Sequence, residues 1–294
     1  MVTHAHELET SLSNQVEDRN RTTRTIRAES GQFVFDVWHA QTTKKATPIV
    51  LVHGWGSTGS YWHDTARLLS QTADVIVPDL PGTGRSQPVS QAQDMFDQVE
   101  TLLHLLDSLQ LKKVQLVGHS MGGAMAVLLA AKQPKRIERL VLVSLTFFMT
   151  KAQEDIYNTV MRVYKLATMF RPKWLAYIPG MPEMVAKQYF HRVPNEHDLL
   201  RSGFLDYLQL DRDTAIACAN NATDTRIKEA GYKVQSPTLL IASRQDQMMP
   251  LENVDYTVGI IPNSSVRWIE ECGHLPMVEK SDEFHAILRD FLIL

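Results

Sequence analysis

Residues 114–127 read VQLVGHSMGGAMAV, an apolar run followed by glycines on either side of a serine and then by a second apolar run. The first run predicts a strand, and the small and apolar residues after Ser120 predict a helix. A serine at such a turn needs a strained backbone, and Gly118 and Gly122 remove side chains that would collide with the crossing chains. The segment therefore predicts a strand–turn–helix unit that exposes the Ser120 hydroxyl.

Outward from this unit, short apolar runs recur, and most are followed by a turn and a longer helical stretch. This alternation is typical of parallel strands joined by crossover helices, and residues 96–109 have the apolar spacing of an amphipathic helix. Two earlier runs, 24–29 and 32–39, flank a Ser-Gly turn and predict an antiparallel hairpin. The remaining predicted strands are 48–52, 75–77, 114–117, 140–143, 238–242 and 266–269. The predicted fold class is α/β, with a mostly parallel, helix-covered twisted sheet and an N-terminal hairpin.

The chain is expected to divide into an arm, a core and an inserted cap. Residues 1–22 form the polar arm, residues 23–146 and 233–294 form the core, and residues 147–232 form a helical cap without strand-like runs. Methionines and aromatic residues in the cap predict either ordinary packing onto the core or an apolar substrate tunnel. These residues are Met149, Met161, Met169, Met181, Met184, Phe170, Trp174, Tyr177, Phe190, Phe204 and Tyr207.

Length and composition exclude a disordered chain, a collagen and a small disulfide scaffold. The chain has 294 residues, 44% hydrophobic and 21% charged, and a formal net charge of -3, which gives no indication of nucleic-acid or anionic-membrane binding. The first 21 residues lack the continuous apolar run of a signal peptide, and no stretch approaches about 20 apolar residues, so we expect neither a signal peptide nor a membrane-spanning helix. The two cysteines, Cys218 and Cys272, allow at most one disulfide, and a reducing compartment is the simpler interpretation. We expect a soluble cytoplasmic protein without stable membrane insertion or a nucleic-acid partner, and its oligomeric state is left open.

The G-x-S-x-G segment in its strand–helix context resembles the alpha/beta hydrolase family, in its serine-nucleophile, esterase- and lipase-like branch with a helical cap. The resemblance extends from about residue 24 to the end of the chain. In that family, an acid and a histidine follow the nucleophile on loops after late strands. The resemblance implies that Asp246, in SRQDQMMP after 238–242, is the acid. It implies that His274, in EECGHLP after 266–269, is the base of a catalytic triad.

The same resemblance implies an oxyanion hole and a set of substrate contacts. The family uses the N–H of the residue after the nucleophile and one on the loop after an earlier strand, which correspond to Met121 and Trp55. Trp55 lies in the segment HGWG at 53–56, directly after the strand 48–52. We expect Trp55, Met248, Leu275 and Phe147 to contact substrate. No cofactor is implied, and no residue spacing predicts a metal site.

Another glycine-rich segment, DLPGTGRS at 79–86, lacks the lysine and the spacing of a nucleotide-binding loop and resembles a structural turn of the same family. Asp79 precedes the nucleophile, in the wrong position for the triad acid. His53, His63 and His119 lie near the site in sequence, and we expect them to support or pack against it instead of catalysing.

These residues predict an enzyme that hydrolyses a carboxylic ester of a small-molecule acyl substrate through an acyl-enzyme on Ser120. Because the nucleophile is a serine, the resemblance argues against epoxide hydrolases and haloalkane dehalogenases. Lactones, amides and carbon–carbon bonds next to a ketone remain possible electrophiles, and an acyltransferase would use the same triad. A small-molecule receptor on the hydrolase fold is an alternative of another class.

Overall fold

The computed structural model describes residues 20–294, apart from the side chains at positions 164 and 167, and is organised around one eight-stranded sheet. The strands are β1 (Arg21–Ala28), β2 (Gly31–Trp38), β3 (Ile49–Val52), β4 (Val75–Pro78), β5 (Val114–His119), β6 (Ile137–Val143), β7 (Thr238–Ser243) and β8 (Ser264–Ile269). Their order in the sheet is β1-β2-β4-β3-β5-β6-β7-β8. β2 pairs antiparallel with β1 and β4, and all the other pairs are parallel. The predicted fold class is confirmed.

The strands agree with the predicted ones within a few residues at their ends. The largest differences are at β6, which begins at Ile137 instead of residue 140, and at β1. β1 begins at Arg21, inside the predicted arm, because Arg21 and Thr22 pair with Trp38 and Val37 of β2. β1 is an edge strand with largely exposed side chains, so its sequence RTTRTIRA carries no apolar alternation to mark its start. Residues 1–19 of the predicted arm lie outside the described residues.

The middle of the sheet is buried on both faces. In β3, Ile49 and Leu51 belong to one hydrophobic cluster, and Val50 and Val52 belong to the cluster on the opposite face. This division follows from the two-residue period of a strand. Each fully buried aliphatic side chain contributes about 1.5–3 kcal/mol relative to an exposed one, so the sheet forms the rigid base from which the site loops project.

Helices cover both faces of this sheet. Helices α2 and α3 pack in the cluster of Val50, and α1 and α11 pack in the cluster of Leu51. The helices are α1 (His63–Leu69), α2 (Met95–Ser108), α3 (Met121–Lys132), α4 (Lys151–Ala167), α5 (Met181–Ala186), α6 (His197–Leu208), α7 (Arg212–Asn221), α8 (Thr225–Gly231), α9 (Asn253–Ile260), α10 (Pro276–Glu279) and α11 (Ser281–Phe291). The predicted helix 96–109 is α2, which a capping box of Asp94 and Asp97 starts. Within residues 20–294, no helix is long and apolar enough to cross a membrane.

The segment between β6 and β7 is entirely helical or irregular. It contains α4 to α8 and a short 3-10 helix, Lys173–Tyr177. The methionines and aromatic residues of this segment differ in burial, so neither packing onto the core nor an apolar tunnel accounts for all of them. Met161, Phe190 and Phe204 are buried, as packing requires. Six others are exposed, namely Met149, Met169, Phe170, Trp174, Tyr177 and Met184. The sequence pattern could not separate these two groups, because both consist of large apolar residues.

Candidate active site

Ser120 occupies the sharp turn between β5 and α3. Its backbone has φ 51° and ψ −119°, a left-handed conformation that costs a non-glycine residue on the order of 1–3 kcal/mol. A Cβ at Gly118 would lie 2.4 Å from the carbonyl oxygen of Gly122, and a Cβ at Gly122 would lie 2.4 Å from that of His53. Both glycines are therefore required by close backbone approach. The turn leaves the Ser120 side chain partly exposed at the carboxyl edge of the sheet.

Asp246 and His274 follow β7 and β8 and meet at the same edge. His274 Nδ1 donates to Asp246 Oδ2 over 2.8 Å, and both side chains are buried. The other carboxylate oxygen, Oδ1, accepts the backbone N–H groups of Met248 and Met249 at 2.8 and 3.2 Å. Burial alone would raise the pKa of Asp246, but the charge and hydrogen bond of His274, with these N–H groups, hold it below its ordinary value. Asp246 is thus an anion that fixes the proton of His274 on Nδ1 and leaves Nε2 as an acceptor.

The serine loop lies beside this pair. The ring of His119, the chain neighbour of Ser120, is 4.8 Å from the ring of His274 between centroids. Among the described residues, no hydrogen bond joins Ser120 Oγ to His274. The structure therefore brings Asp246 and His274 into direct contact and places Ser120 on the loop that packs against them.

The loop after β3 packs against the serine turn. A Cβ at Gly54 would lie 3.3 Å from the Ser120 Cβ and 2.9 Å from His119 Nδ1, so only glycine fits there without displacement. The indole Nε1 of Trp55 donates to the carbonyl of Ala215 in α7 over 2.8 Å, which anchors the loop to the helical segment. Met121 is the first residue of α3, and the N–H groups of a first turn have no partner within their own helix. The loop after β3 therefore contacts the Ser120 turn at Gly54, the residue before Trp55, and Met121 follows Ser120 directly in the chain.

His53 holds the base of the same loop. Its Nδ1 donates to the carbonyl of Gly54 over 2.9 Å, and its Nε2 accepts the backbone N–H of Leu80 over 3.0 Å. Burial lowers the pKa of His53, so the imidazole is neutral and both bonds have a fixed direction. His53 is therefore positioned to support the loop after β3.

Asp79 lies away from the contact between Asp246 and His274. Its Oδ1 accepts the backbone N–H of Gly59 over 3.0 Å, and its Oδ2 accepts Arg85 Nε over 2.7 Å. Arg85 also donates to Asp36 over 2.8 Å, and His63 lies 3.4 Å from the same carboxylate. These contacts connect the turn after β4 with β2 and α1.

A chain of hydrogen bonds joins the loop after β3 to the histidine loop. The backbone N–H of Gly54 donates to the Tyr61 hydroxyl over 2.7 Å, and that hydroxyl donates to His119 Nδ1 over 2.9 Å. His119 Nε2 donates to the backbone carbonyl of His274 over 2.9 Å. Every direction is fixed, because the first donor is an amide and the last acceptor is a carbonyl.

The pKa values agree with this chain. Burial, with the neighbouring charge of His274, lowers the pKa of His119 to about 3. Burial raises the pKa of the Tyr61 hydroxyl, against the lowering by the Gly54 N–H. Both groups are therefore neutral near pH 7, as the hydrogen-bond directions require. His119 and Tyr61 act on His274 and Gly54 through the backbone and are positioning residues.

The helical segment between β6 and β7 contributes to the histidine loop. The backbone N–H of His274 donates to the carbonyl of Tyr189 over 2.6 Å, and a Cβ at Gly273 would lie 2.4 Å from that oxygen. Glu279 accepts the backbone N–H groups of Gly273 and Arg192 over 2.8 and 2.6 Å. The loop that carries His274 is therefore held by hydrogen bonds both within the core and to the helical segment between β6 and β7.

A cavity opens beside the loop after β3, with about 330 Å³ of space between its lining atoms, part of which is open to solvent. Both Trp55 and Met121 line it, together with residues of α7 and of the turn after β4. Its apolar lining includes Leu80, Met125, Leu210, Ala215 and Cys218. The cavity therefore lies next to the Ser120 turn, because Met121 directly follows Ser120 in the chain.

The other expected substrate contacts are dispersed. Phe147 lines a separate cavity of about 410 Å³ between α3 and α4. Leu275 is partly buried and packs with Phe190. Met248 is partly exposed, and its backbone N–H is used by Asp246. Of the four expected contacts, only Trp55 lines the 330 Å³ cavity.

Residues 47–281 match the family model described as the alpha/beta hydrolase fold. The chain belongs to the alpha/beta hydrolase family. It is 27% identical over 270 residues to a pimeloyl-acyl-carrier-protein methyl ester esterase of Aliivibrio fischeri, with 86% of this chain and 96% of that protein covered. It is 30% identical over 260 residues to lipase 1 of Psychrobacter immobilis, with 80% and 74% covered. The crystal structure of an esterase from Exiguobacterium antarcticum superposes with a TM-score of 0.77 at 20% identity, over 92% of this chain and 99% of that one.

Given relatives named as esterase and lipase, this alpha/beta hydrolase is an enzyme. Sequence reasoning missed two parts of its site. Tyr61 was missed because an aromatic residue after a glycine loop looks like ordinary core. The cavity residues of α7, Thr214, Ala215 and Cys218, were missed because nothing in their spacing distinguishes a cavity wall from a packed helix face.

Proposed function

We propose that this chain hydrolyses carboxylic esters, with Ser120 as nucleophile, His274 as general base and Asp246 as the acid that orients it. The observation that carries the proposal is the buried 2.8 Å hydrogen bond between His274 Nδ1 and Asp246, next to a serine held at φ 51°. A hydroxyl is a weak nucleophile until a neighbouring base takes its proton, and a buried carboxylate stabilises the imidazolium that results. The esterase and lipase relatives support the same reaction class.

In the proposed reaction, Ser120 Oγ attacks the ester carbonyl carbon while its proton passes to His274 Nε2. The tetrahedral intermediate collapses, the alcohol leaves with that proton, and an acyl-enzyme remains on Ser120. His274 then takes a proton from a water whose oxygen attacks the acyl carbonyl. The second tetrahedral intermediate collapses as His274 returns that proton to Ser120 Oγ, which releases the acid and the free serine. Atoms and protons balance over the cycle, and no cofactor takes part.

The backbone N–H groups of Trp55 and Met121 form the oxyanion hole in this proposal. Donors fixed in advance towards the developing oxyanion contribute about 2.7–4 kcal/mol each in comparable sites. The bond from the Trp55 side chain to Ala215 supports the proposal, because it restrains the loop before substrate arrives. Residues 147–232 act as a cap whose α7 closes the acyl cavity.

We infer that a medium-length acyl or aromatic acid occupies the 330 Å³ cavity, because its lining is largely apolar. Ala215→Leu would fill part of it, and each displaced methylene of the acyl chain is worth about 0.8 kcal/mol, or roughly fourfold in kcat/KM. The variant is expected to lose kcat/KM on longer nitrophenyl esters and to keep it on the acetate. An equal loss on all chain lengths would place the acyl group elsewhere.

The decisive experiment compares wild type with Ser120→Ala on nitrophenyl esters of increasing acyl length. Wild type is expected to show a burst and a covalent acyl adduct by intact mass, and Ser120→Ala is expected to show neither. Ser202→Ala, at an exposed position of α6, is the matched control and should behave as wild type. If wild type and Ser120→Ala were equally inactive on every ester, the proposal would be wrong, and carbon–carbon substrates and ligand binding would be tested next.

A further inference from the structure

Helix α4 presents its apolar side to solvent. Ile156, Val160 and Val163 follow one another at spacings of four and three residues, so they share one helix face, and they are 66%, 47% and 64% exposed. Leu166 lies at the edge of that face and is 67% exposed. A surface helix ordinarily turns such a face towards the core. In α4 this face points to solvent, while Met161 on the opposite side of the helix is buried.

Polar residues hold the other side of α4 to the body of the protein. Gln153 and Asn253 exchange two side-chain hydrogen bonds of 3.0 Å, and Thr223 donates to Asn158. Lys165 donates to the side chain of Asn220 near the end of the helix. Because these bonds fix the rotation of α4 about its axis, its apolar face is held outward by the fold.

The apolar surface continues beyond the end of α4. Met169 and Phe170 are 66% and 68% exposed, and Phe170 packs edge-on against Trp174 with ring centroids 6.5 Å apart. Trp174 and Tyr177, in the 3-10 helix, are 57% and 64% exposed. Soluble proteins rarely expose so many large apolar side chains along one segment without a binding partner. We call residues 156–177 the apolar segment.

The charge of the apolar segment indicates which partner fits. Residues 156–182 contain no aspartate or glutamate and four basic residues, Arg162, Lys165, Arg171 and Lys173. None of the four forms an ion pair with a carboxylate in the part of the chain that the structure describes, but Lys165 donates to Asn220 and Arg171 donates to the carbonyls of Tyr207 and Leu210. A second copy in a symmetric dimer would bring these cations against the same four cations, which disfavours it. Apolar and aromatic side chains flanked by unneutralised cations suit an anionic lipid surface.

We propose that the apolar segment adsorbs to an anionic lipid surface and holds the protein there without crossing it. The apolar side chains enter the boundary between headgroups and acyl chains, and the two exposed cations, Arg162 and Lys173, remain among the anionic headgroups. Trp174 and Tyr177 have the amphipathic rings that favour this boundary. The proposal goes beyond the ester hydrolysis proposed above and does not depend on it.

The first experiment is flotation with lipid vesicles, either phosphatidylcholine alone or phosphatidylcholine with phosphatidylglycerol. The wild-type chain is expected to float with the anionic vesicles, far less with the neutral ones, and less again at high salt, which screens the cations. Val163→Ser/Leu166→Ser/Phe170→Ser is expected to lower the partition coefficient on the order of 100-fold. The matched control Tyr232→Ser/Ile293→Ser changes two exposed apolar residues elsewhere and should bind as wild type.

The second experiment changes the charge alone. Arg162→Gln/Lys173→Gln is expected to lower partition into anionic vesicles roughly 30-fold and to leave the weak binding to neutral vesicles unchanged. Lys135→Gln, an exposed lysine between α3 and β6, is the matched control. Thermal unfolding verifies that each variant is folded, so the outcome is readable even if the chain hydrolyses no ester.

Three results would overturn the proposal. The first is failure of the wild-type chain to float with anionic vesicles, and the second is undiminished flotation of the triple serine variant. The third is a dimer in light scattering that the triple variant abolishes while vesicles bind neither protein. That result would assign the apolar segment to contact between two copies of the chain.

Discussion

Tyr61→Phe tests the hydrogen-bond chain that joins the loop after β3 to the histidine loop. The substitution removes one oxygen and leaves two groups without a partner, the Gly54 N–H and His119 Nδ1. A buried polar group that loses its partner costs about 1–3 kcal/mol, so we expect the free energy of unfolding to fall by roughly 2–6 kcal/mol for the two groups. At about 2–4 °C for each kcal/mol in a chain of this size, Tm should fall on the order of 10 °C.

Urea unfolding at equilibrium and thermal unfolding measure this loss, with Tyr232→Phe at a 58% exposed site as the matched control. Because Gly54 precedes Trp55, we also expect kcat on nitrophenyl esters to fall more than KM rises, which a purely structural loss would not produce. A double variant with His119→Leu separates the loss at His119 from the loss at Gly54. Because a leucine at position 119 has no nitrogen that needs a partner, the further effect of Tyr61→Phe then comes from the Gly54 N–H alone. If Tyr61→Phe unfolds like wild type and keeps its kcat, the reasoning from the hydrogen-bond chain is refuted.

Three further predictions concern the same region. Asp246→Asn should lower kcat by up to about 10⁴-fold near pH 7 with little change in KM, because the wrong tautomer of His274 is then favoured; unchanged steady-state kinetics would contradict this. Gly122→Ala should unfold the chain or lower its free energy of unfolding by more than about 3 kcal/mol in denaturant titrations. At Gly203 a Cβ meets no atom within 4 Å, so Gly203→Ala should stabilise α6 by about 0.5–1 kcal/mol in the same assay. His119 has a folded pKa of about 3, below its ordinary 6.5, so between these values the unfolded chain binds a proton that the folded chain does not. The free energy of unfolding should therefore fall as pH drops from about 6.5 to 3, and His119→Gln should flatten that dependence in urea unfolding.

Much of the fold was predictable because parallel strands have a direct sequence signature. A strand buried on both faces, such as β3, must be apolar throughout, and it must end in a turn that tolerates close backbone approach. The strand–turn–helix pattern located Ser120 between two glycines. The resemblance to the hydrolase family assigned Asp246 and His274, which are hydrogen-bonded to each other in the structure. The start of the edge strand β1 could not be predicted in this way, because its side chains are largely exposed and need not be apolar.

The parts that could not be predicted depend on which neighbour a residue meets. Tyr61 reaches His119 across 58 positions of sequence, and no local pattern encodes that pairing. Ile156, Val160 and Val163 of α4 are of the same chemical type as the buried Phe190, yet they face solvent. Their orientation is decided by polar bonds such as that between Gln153 and Asn253, which only the folded chain brings together.

The contact between Gly273 and Tyr189 has a consequence for protein engineering. A chimaera that replaced residues 147–232 with the corresponding segment of another hydrolase would replace the backbone groups at Tyr189 and Arg192 that hold the loop of His274. Such a graft would have to retain the carbonyl at Tyr189 and the amide that meets Glu279 at Arg192, or else exchange the recipient's 273–279 loop together with the donor segment. Substrate range in this chain is therefore better diversified at single positions of α7 than by wholesale exchange of the segment.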